Sequence, residues 1–517
     1  MIALAFLFGI FSAMPIVFPS LGLFQWVVMI PLALLMLSQI DDDKKGFFSF
    51  YKLGFFFFLG YFLPGYSWFL GMYPLSVTGI SRPAALGVVL LAFFGISAFQ
   101  AIGCAAVFPV FASASRGGMP KPILPLFMGA LWCIIEWAQS LFWFGLPYIR
   151  LSLGQVENLA FLQSAKLLGS CFTAFLIVAV NFYASLAIKE ARGKKKIGFA
   201  LTAILLFSII GIYGGYQLGN KDDVNKTAKI AALQGNISTE EKWSYQMREQ
   251  TFSVYEELCR KASEAGAEFA LFPETVFPYV IEQDPQIDHT VKSWADKYKI
   301  TLMVGCFGSS GEKTENIIRV YQPLCEGKNV YSKQRPVPFG EYMPIRDIIM
   351  NILPVLGEIN MLDRSLLPGE SSSVWHSDEG SFGHLICFDS IYDILARESA
   401  KNGAEVLLIS TNDSWFGDSV GSRLHSSHAV LRAVENGRSV VRAANTGISS
   451  IVLPNGKISE YLPADTDGFI ISSVEFREDI TPYTHLGNAF VYISLAFSVF
   501  CSIIYKKDYF FAKGNRL

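Results

Sequence analysis

Three residues end apolar runs in a way that suggests chemistry. Glu274 closes EFALFPE (268–274), Lys333 follows NVYS in a hairpin-like stretch, and Cys387 ends HLIC (384–387). A thiol is a weak nucleophile until its proton is removed. A carboxylate can take that proton, and an ammonium can hold the negative charge that develops on a substrate carbonyl oxygen. Together they would make a nucleophilic set for acyl transfer. The alternative is also open: a cysteine on an apolar strand is often a small core residue, and a lysine at a strand end is often simply solvated. His425 and His428 are three apart on a predicted helix, a spacing two metal ligands can use, but no third ligand sits at a helpful spacing, so no metal is expected.

The elements that would position these residues alternate. KIAALQG (229–235), TLMVGCFG (301–308), EVLLISTN (405–412) and SVVRAAN (439–445) read as strands. The stretches 240–265, 284–299 and 421–438 read as helices. NIIRVYQPL (316–324) and NVYSKQR (329–335) suggest a hairpin, as does SIVLPNGKIS around Asn455-Gly456. Strands alternating with helices, plus hairpins, indicate a layered α/β sandwich, a fold that collects sites at strand ends.

That region is only half of the chain. Of the 517 residues, 52% are hydrophobic and 17% charged, with 44 phenylalanines and a net charge of −2. Soluble domains carry about 25% charged residues. The composition excludes a disordered chain and an ordinary soluble enzyme, and the charge gives no global basic field for nucleic acid. Residues 1–40 contain no Asp, Glu, Lys or Arg, and residues 1–188 contain thirteen. A spanning helix needs about 20 apolar residues. Eight segments qualify: 2–18, 21–40, 53–72, 85–111, 123–144, 159–188, 197–216 and 488–505. The predicted organisation is a seven-span membrane domain (1–219), a water-facing domain (220–487), and an eighth span with a tail (488–517).

The loop charges predict an orientation. With the N-terminus inside, the inside loops carry Lys44, Lys45, Lys52, Arg116, Lys121, Lys189, Arg192 and Lys194 to Lys196, whereas the short outside loops carry only Arg82 and Arg150. Both termini are then cytoplasmic and 220–485 lies outside the cytoplasmic membrane. Glu136 and Lys166 fall inside predicted spans, where a charge is costly and is either structural or in contact with a headgroup. Eight cysteines are too few for a disulfide scaffold, and at most one bridge is expected among Cys259, Cys306 and Cys325.

The water-facing region resembles the nitrilase (carbon–nitrogen hydrolase) superfamily in LFPET around Glu274, YSKQRPVPFGEYMP around Lys333 and HLICFDS around Cys387. NDSWFGDS (412–419), RAVENGRSVVRAANTGIS (432–449), QGNISTEEKW (234–243) and LPYIRLSLGQ (146–155) resemble one membrane-bound branch, the apolipoprotein N-acyltransferases. The resemblance covers essentially the whole chain. It implies an α-β-β-α sandwich carried by eight spans in the cell inner membrane, with no cofactor. It further implies an acyl donor, a membrane phospholipid, and an acceptor, the α-amino group of an S-diacylglyceryl cysteine on an apolipoprotein. Cys387 would carry the acyl group as a thioester. Glu341 matches the family's second glutamate and Trp243 a functional aromatic, while Trp415 and Phe416 are candidates for an acyl pocket. One departure stands out. After the nucleophile the family usually has Tyr-Glu, and this chain has Phe388-Asp389, which loses a hydroxyl and shortens the carboxylate arm. That raises an inactive pseudoenzyme as one alternative; a membrane-tethered amidase is another. The apolar stretch 340–368 is read as a lid on the membrane surface or as a buried helix.

Overall fold

The computed structural model describes the chain except residues 43, 76–79, 142–144, 221–225, 239–244, 312, 326, 328, 348–350, 352–365, 371–373 and 506–517. Trp243 and most of the 340–368 stretch therefore lie outside the described residues. The chain divides into two compact units: residues 1–67, 90–221 and 486–517, and residues 68–89 with 222–485.

The first unit is helical. Among the described residues, five helical stretches are long and apolar enough to cross a membrane: Pro19–Ile40, Phe47–Met72, Arg82–Arg116, Ser170–Lys189 and Lys194–Gly219. Ile2–Val17, Leu124–Ala138, Leu159–Leu168 and Ala489–Ile504 are apolar and shorter. The predicted span 159–188 is corrected: its first ten residues form two short turns, and the long helix begins at Ser170. Gly169 causes the break, because at φ 85° it adopts a backbone that continues no right-handed helix. Glu136 is buried and accepts from Trp132 Nε1 at 2.9 Å and from the Leu151 amide at 2.8 Å. It thus anchors the start of the 151–155 turn, which favours the structural reading of that charge. Lys166 is half-buried in Ser164–Leu168.

The second unit is built on two sheets. The first contains β1 (Thr227–Gln234), β2 (Phe269–Leu271), β3 (Phe277–Val280), β4 (Thr301–Ser310), β5 (Lys313–Tyr321) and β6 (Asn329–Ser332). The second contains β7 (Val374–Ser377), β8 (Gly380–Ile386), β9 (Val406–Thr411), β10 (Ser439–Ala444), β11 (Ser449–Val452) and β12 (Ile458–Leu462). β13 (Gly468–Glu475) returns to the first sheet beside β1, giving the orders β13-β1-β2-β4-β5-β6, with β3 on β4, and β12-β11-β10-β9-β8-β7. The β5–β6 and β11–β12 pairs are the antiparallel hairpins the sequence predicts.

Alternation along each strand decides which face meets which layer. On β1, Ile230 and Ala232 enter the core between the sheets with Phe269, Leu271, Phe382, Val406 and Val441. Ala231 and Leu233 face the other way, against Tyr255, Leu258, Val291 and Trp294 of the helices Tyr245–Glu264 and Pro285–Tyr298. Helices Asp393–Lys401 and Val420–Asn436 pack on the second sheet, which completes a helix–sheet–sheet–helix sandwich. The strand predicted over 268–274 shortens to three residues, so Glu274 lies past its end.

Candidate active site

Glu274 leaves β2 in a loop that crosses toward the other sheet. Its backbone amide donates to the Thr411 carbonyl at 3.4 Å, and its Oε2 accepts from the Asn412 amide at 3.0 Å, both at the end of β9. The backbone approach here is close: a Cβ on Gly305 of β4 would sit 2.2 Å from the Pro273 oxygen and 2.6 Å from the Thr275 nitrogen. Only glycine lets the strand run this near the residue that carries the carboxylate.

Lys333 follows β6 and is 1% exposed. Its Nζ donates to Glu274 Oε1 at 2.8 Å and to Glu341 Oε1 at 2.9 Å. Asn316 of β5 donates through Nδ2 to the same two oxygens, at 2.8 and 3.1 Å. Two donors and two acceptors thus close a ring. Glu341 is itself fixed, since its Oε2 accepts from the Val337 amide at 2.7 Å. The chain returns beside it: the Leu366 amide donates to the Glu341 carbonyl, and the Gly369 amide to the Lys333 carbonyl at 2.7 Å. The ends of the 340–368 stretch are therefore tied to the lysine and the second glutamate.

Cys387 occupies a tight turn between β8 and a short 3₁₀ segment, with φ 50°, a left-handed backbone that an L side chain rarely adopts. A strained strand-to-helix turn of this kind presents a nucleophile at the end of a sheet. Burial pushes the Cys387 thiol well up, Glu274 adds to the rise, and Lys333 only partly opposes it. The resting thiol is protonated, so its proton must leave as attack proceeds. Burial also works against the Lys333 ammonium, yet Glu274 and Glu341 outweigh it and hold the lysine well above its ordinary value. The lysine is a permanent cation.

The structure brings Glu274, Lys333, Glu341 and Cys387 together and separates Phe388 from Asp389. Phe388 is half-buried, its ring edge-on to Tyr392 at 5.5 Å. Asp389 is fully buried and accepts from Tyr331 Oη, from the Ile386 amide, and from the Gln334 and Arg335 amides that follow Lys333. Trp415 is half-buried in the turn before Val420–Asn436, and its neighbour Phe416 packs edge-on against Trp68 at 4.7 Å. Asn316 is the residue that sequence reasoning missed. Its signal is a polar side chain opening the apolar run NIIRVY, and it went unread because that run was assigned only to a hairpin. Among the described residues no disulfide forms, and Cys259 and Cys306 are buried. Cys387, Asp413 and His425 hold donor atoms within 4.8 Å of one another, but Arg442 Nη2 lies 2.7 Å from Asp413, which opposes a cation there.

The chain is similar to known proteins along most of its length. Residues 8–183 match the family model described as the apolipoprotein N-acyltransferase N-terminal domain. Residues 229–482 match the carbon-nitrogen hydrolase model. An apolipoprotein N-acyltransferase of Geobacter metallireducens is 28% identical over 504 residues, covering 95% of this chain and 93% of that one. One of Gloeobacter violaceus is 27% identical, covering 92% and 89%. Among solved structures, an amidase from Nesterenkonia is 20% identical, covers 53% of this chain and 100% of its own, and has a TM-score of 0.37. With both family models matched in order and relatives of one kind aligned nearly end to end, the chain belongs to the apolipoprotein N-acyltransferase family.

Proposed function

We propose that this protein moves an acyl chain from a membrane phospholipid to the α-amino group of the S-diacylglyceryl cysteine at an apolipoprotein N-terminus, in two steps through a thioester on Cys387. The observation that carries this reading is the ring of Lys333, Glu274, Asn316 and Glu341 beside a protonated thiol on a strained turn. In the first step Sγ attacks the phospholipid ester carbonyl while Glu274 takes the thiol proton. Lys333 Nζ stabilises the tetrahedral oxyanion. The C–O bond then breaks, and Glu274 returns the proton to the departing lysophospholipid oxygen. In the second step the acceptor amine attacks the thioester carbonyl, Glu274 takes the amine proton, and the C–S bond breaks. The thiolate regains that proton and the cycle closes.

Glu341 serves as a second anchor for Lys333, which would otherwise sit against one carboxylate alone. Asp389, with its four donors, is a support for the turn rather than a group that touches substrate. Both features argue for an active enzyme and against a pseudoenzyme. The substrates are lipids, which gives a reason for joining a nitrilase-like sandwich to membrane helices. We assign residues 1–219 to the membrane domain, 220–487 to the catalytic domain on the outer side of the inner membrane, and 488–517 to a last span and cytoplasmic tail. Ile2–Val17, Leu124–Ala138 and Ala489–Ile504 supply the remaining three crossings of an eight-span arrangement, with Leu159–Leu168 leading into the span that begins at Ser170.

Labelled phospholipid tests the chemistry. Wild type should acquire a hydroxylamine-sensitive label; Cys387→Ala and Cys387→Ser should not, and Cys306→Ala should behave as wild type. Serine fails because a hydroxyl is a far weaker nucleophile at neutral pH. Label retained on Cys387→Ala would overturn the assignment. A wild-type protein that labels but passes nothing to a diacylglyceryl lipopeptide would favour the amidase reading.

A further inference from the structure

A second polar cluster lies behind Cys387, and the acyl-transfer scheme makes no use of it. It joins Asp413 after β9, His425 of helix Val420–Asn436 and Arg442 of β10, all essentially fully buried. Asp413 Oδ1 accepts from His425 Nδ1 at 2.8 Å and from Thr411 Oγ1 at 2.9 Å, while Oδ2 accepts from Arg442 Nη2 at 2.7 Å. Burial alone would raise the Asp413 carboxyl, but Arg442 and His425 overcome it and hold it well below the usual range. The carboxylate is thus a permanent anion that orients the imidazole. A Cβ on Gly447 would come within 2.3 Å of Asp413 Oδ2, so the backbone closes on this carboxylate only because no side chain intervenes.

The other ring nitrogen faces the nucleophile. His425 Nε2 lies 3.2 Å from the Cys387 carbonyl oxygen, which also accepts from Ser390 Oγ at 2.7 Å. A carbonyl only accepts, so this contact is a hydrogen bond with the proton on Nε2, and donation to Asp413 at the same time requires a second proton on Nδ1. One residue earlier, Asp389 Oδ2 accepts from the Ile386 amide at 3.1 Å. The Cys387 carbonyl and the backbone N–H of the residue before it are therefore both held, and a left-handed φ at a non-glycine residue persists only where its surroundings over-determine it. Phe416 adds a wall, its ring 5.6 Å from the imidazole.

We propose that His425 is a positioning residue for acyl transfer: oriented by Asp413 and Arg442, it fixes the Cys387 peptide so that Sγ meets the ester carbonyl beside Lys333. The inference rests on the reading of Cys387 as the nucleophile. An array of this kind acts on the reacting distance, not on substrate affinity. A small misplacement of reacting atoms costs roughly 10²-fold in rate.

The test is the rate of hydroxylamine-sensitive labelling of the full-length purified protein by labelled phospholipid, measured across phospholipid concentrations. His425→Ala should lower the limiting rate by ~10²-fold and leave the half-saturating concentration within about twofold. His425→Gln, whose amide N–H can reach the same carbonyl, should recover about tenfold of that loss. If His425→Ala does not fold, the isosteric Asp413→Asn carries the test, with the same loss of limiting rate expected. A limiting rate near wild type in a folded His425→Ala or Asp413→Asn protein overturns the proposal. So does a loss confined to the half-saturating concentration, or a glutamine variant no better than alanine. Cys387→Ala is run alongside. Label retained there removes the nucleophile reading itself. A dead Cys387→Ala with a wild-type His425→Ala removes only the positioning role.

Discussion

The Tyr331 hydroxyl donates to Asp389 Oδ2 at 2.9 Å, which bonds the residue two before Lys333 to the residue two after Cys387. The two segments come from different sheets, β6 and the end of β8. Asp389 adds the amides of Gln334, Arg335 and Ile386, so one buried carboxylate sets the lysine-bearing loop against the nucleophile turn. Four donors on one carboxyl group also explain why a shorter acidic side chain suffices here. The partners are backbone and a tyrosine tip that come to it.

This gives a pH dependence. Burial raises the Asp389 carboxyl to about 6, against the opposing effect of Lys333 and its hydrogen-bond donors. Protonation turns one acceptor oxygen into a donor and loosens the 334–335 loop. The rate of thioester formation should therefore fall as pH is lowered through about 6. The folded value lies above the ordinary one, so this group favours the fold most below about pH 4, and that contribution is lost as pH rises through about 6. Unfolding linked to Asp389 thus runs the opposite way and cannot produce the acid loss. In Asp389→Asn the rate should be low throughout, and the limb near pH 6 should vanish. An asparagine variant that keeps the wild-type limb would place that titration elsewhere.

Asn316 separates two carboxylates that share one lysine. Asn316→Leu removes a donor from each and should destabilise the domain by about 1–3 kcal/mol, the cost of leaving buried acceptors short of a partner. Asn316→Asp should lose more activity than leucine, because it adds a third negative charge in a site with one cation. Melting curves and labelling rates check both. Equal activity in the aspartate variant and wild type would mean that the ring contributes nothing.

Lys333→Arg and Glu274→Gln should both fold and both fail to form the thioester. Arginine keeps the charge but presents a planar head of different reach, which cannot satisfy both Glu274 Oε1 and Glu341 Oε1 from one point. Glutamine cannot take the thiol proton. Loss of one preorganised donor typically costs 10²–10³-fold. Labelling at a near wild-type rate in either variant would mark that residue as structural.

The loop charges predict sidedness. Reporter fusions at about residues 193 and 300 should report opposite sides of the membrane, with 193 cytoplasmic. Both fusions on one side would reject the orientation and the eight-span count together.

Features that depend on local pattern are legible in the amino-acid order alone. Forty residues without a charge identify the start of a membrane part, the apolar run in KIAALQG (229–235) identifies a strand, and Asn455-Gly456 identifies a hairpin. The polar ends of three strands and the family motifs picked out Glu274, Lys333 and Cys387. The pairings that complete the site join residues far apart in the chain and follow from the fold. Asn412 is 138 residues from the Glu274 carboxylate it donates to, and Asp389 is 58 from Tyr331. No local spacing encodes such pairs, because they follow from which strand lies beside which and how two sheets face. The raised thiol has the same origin. A sequence shows that a lysine exists, whereas the balance between its charge, two carboxylates and burial depends on distances that appear only when the strand ends converge.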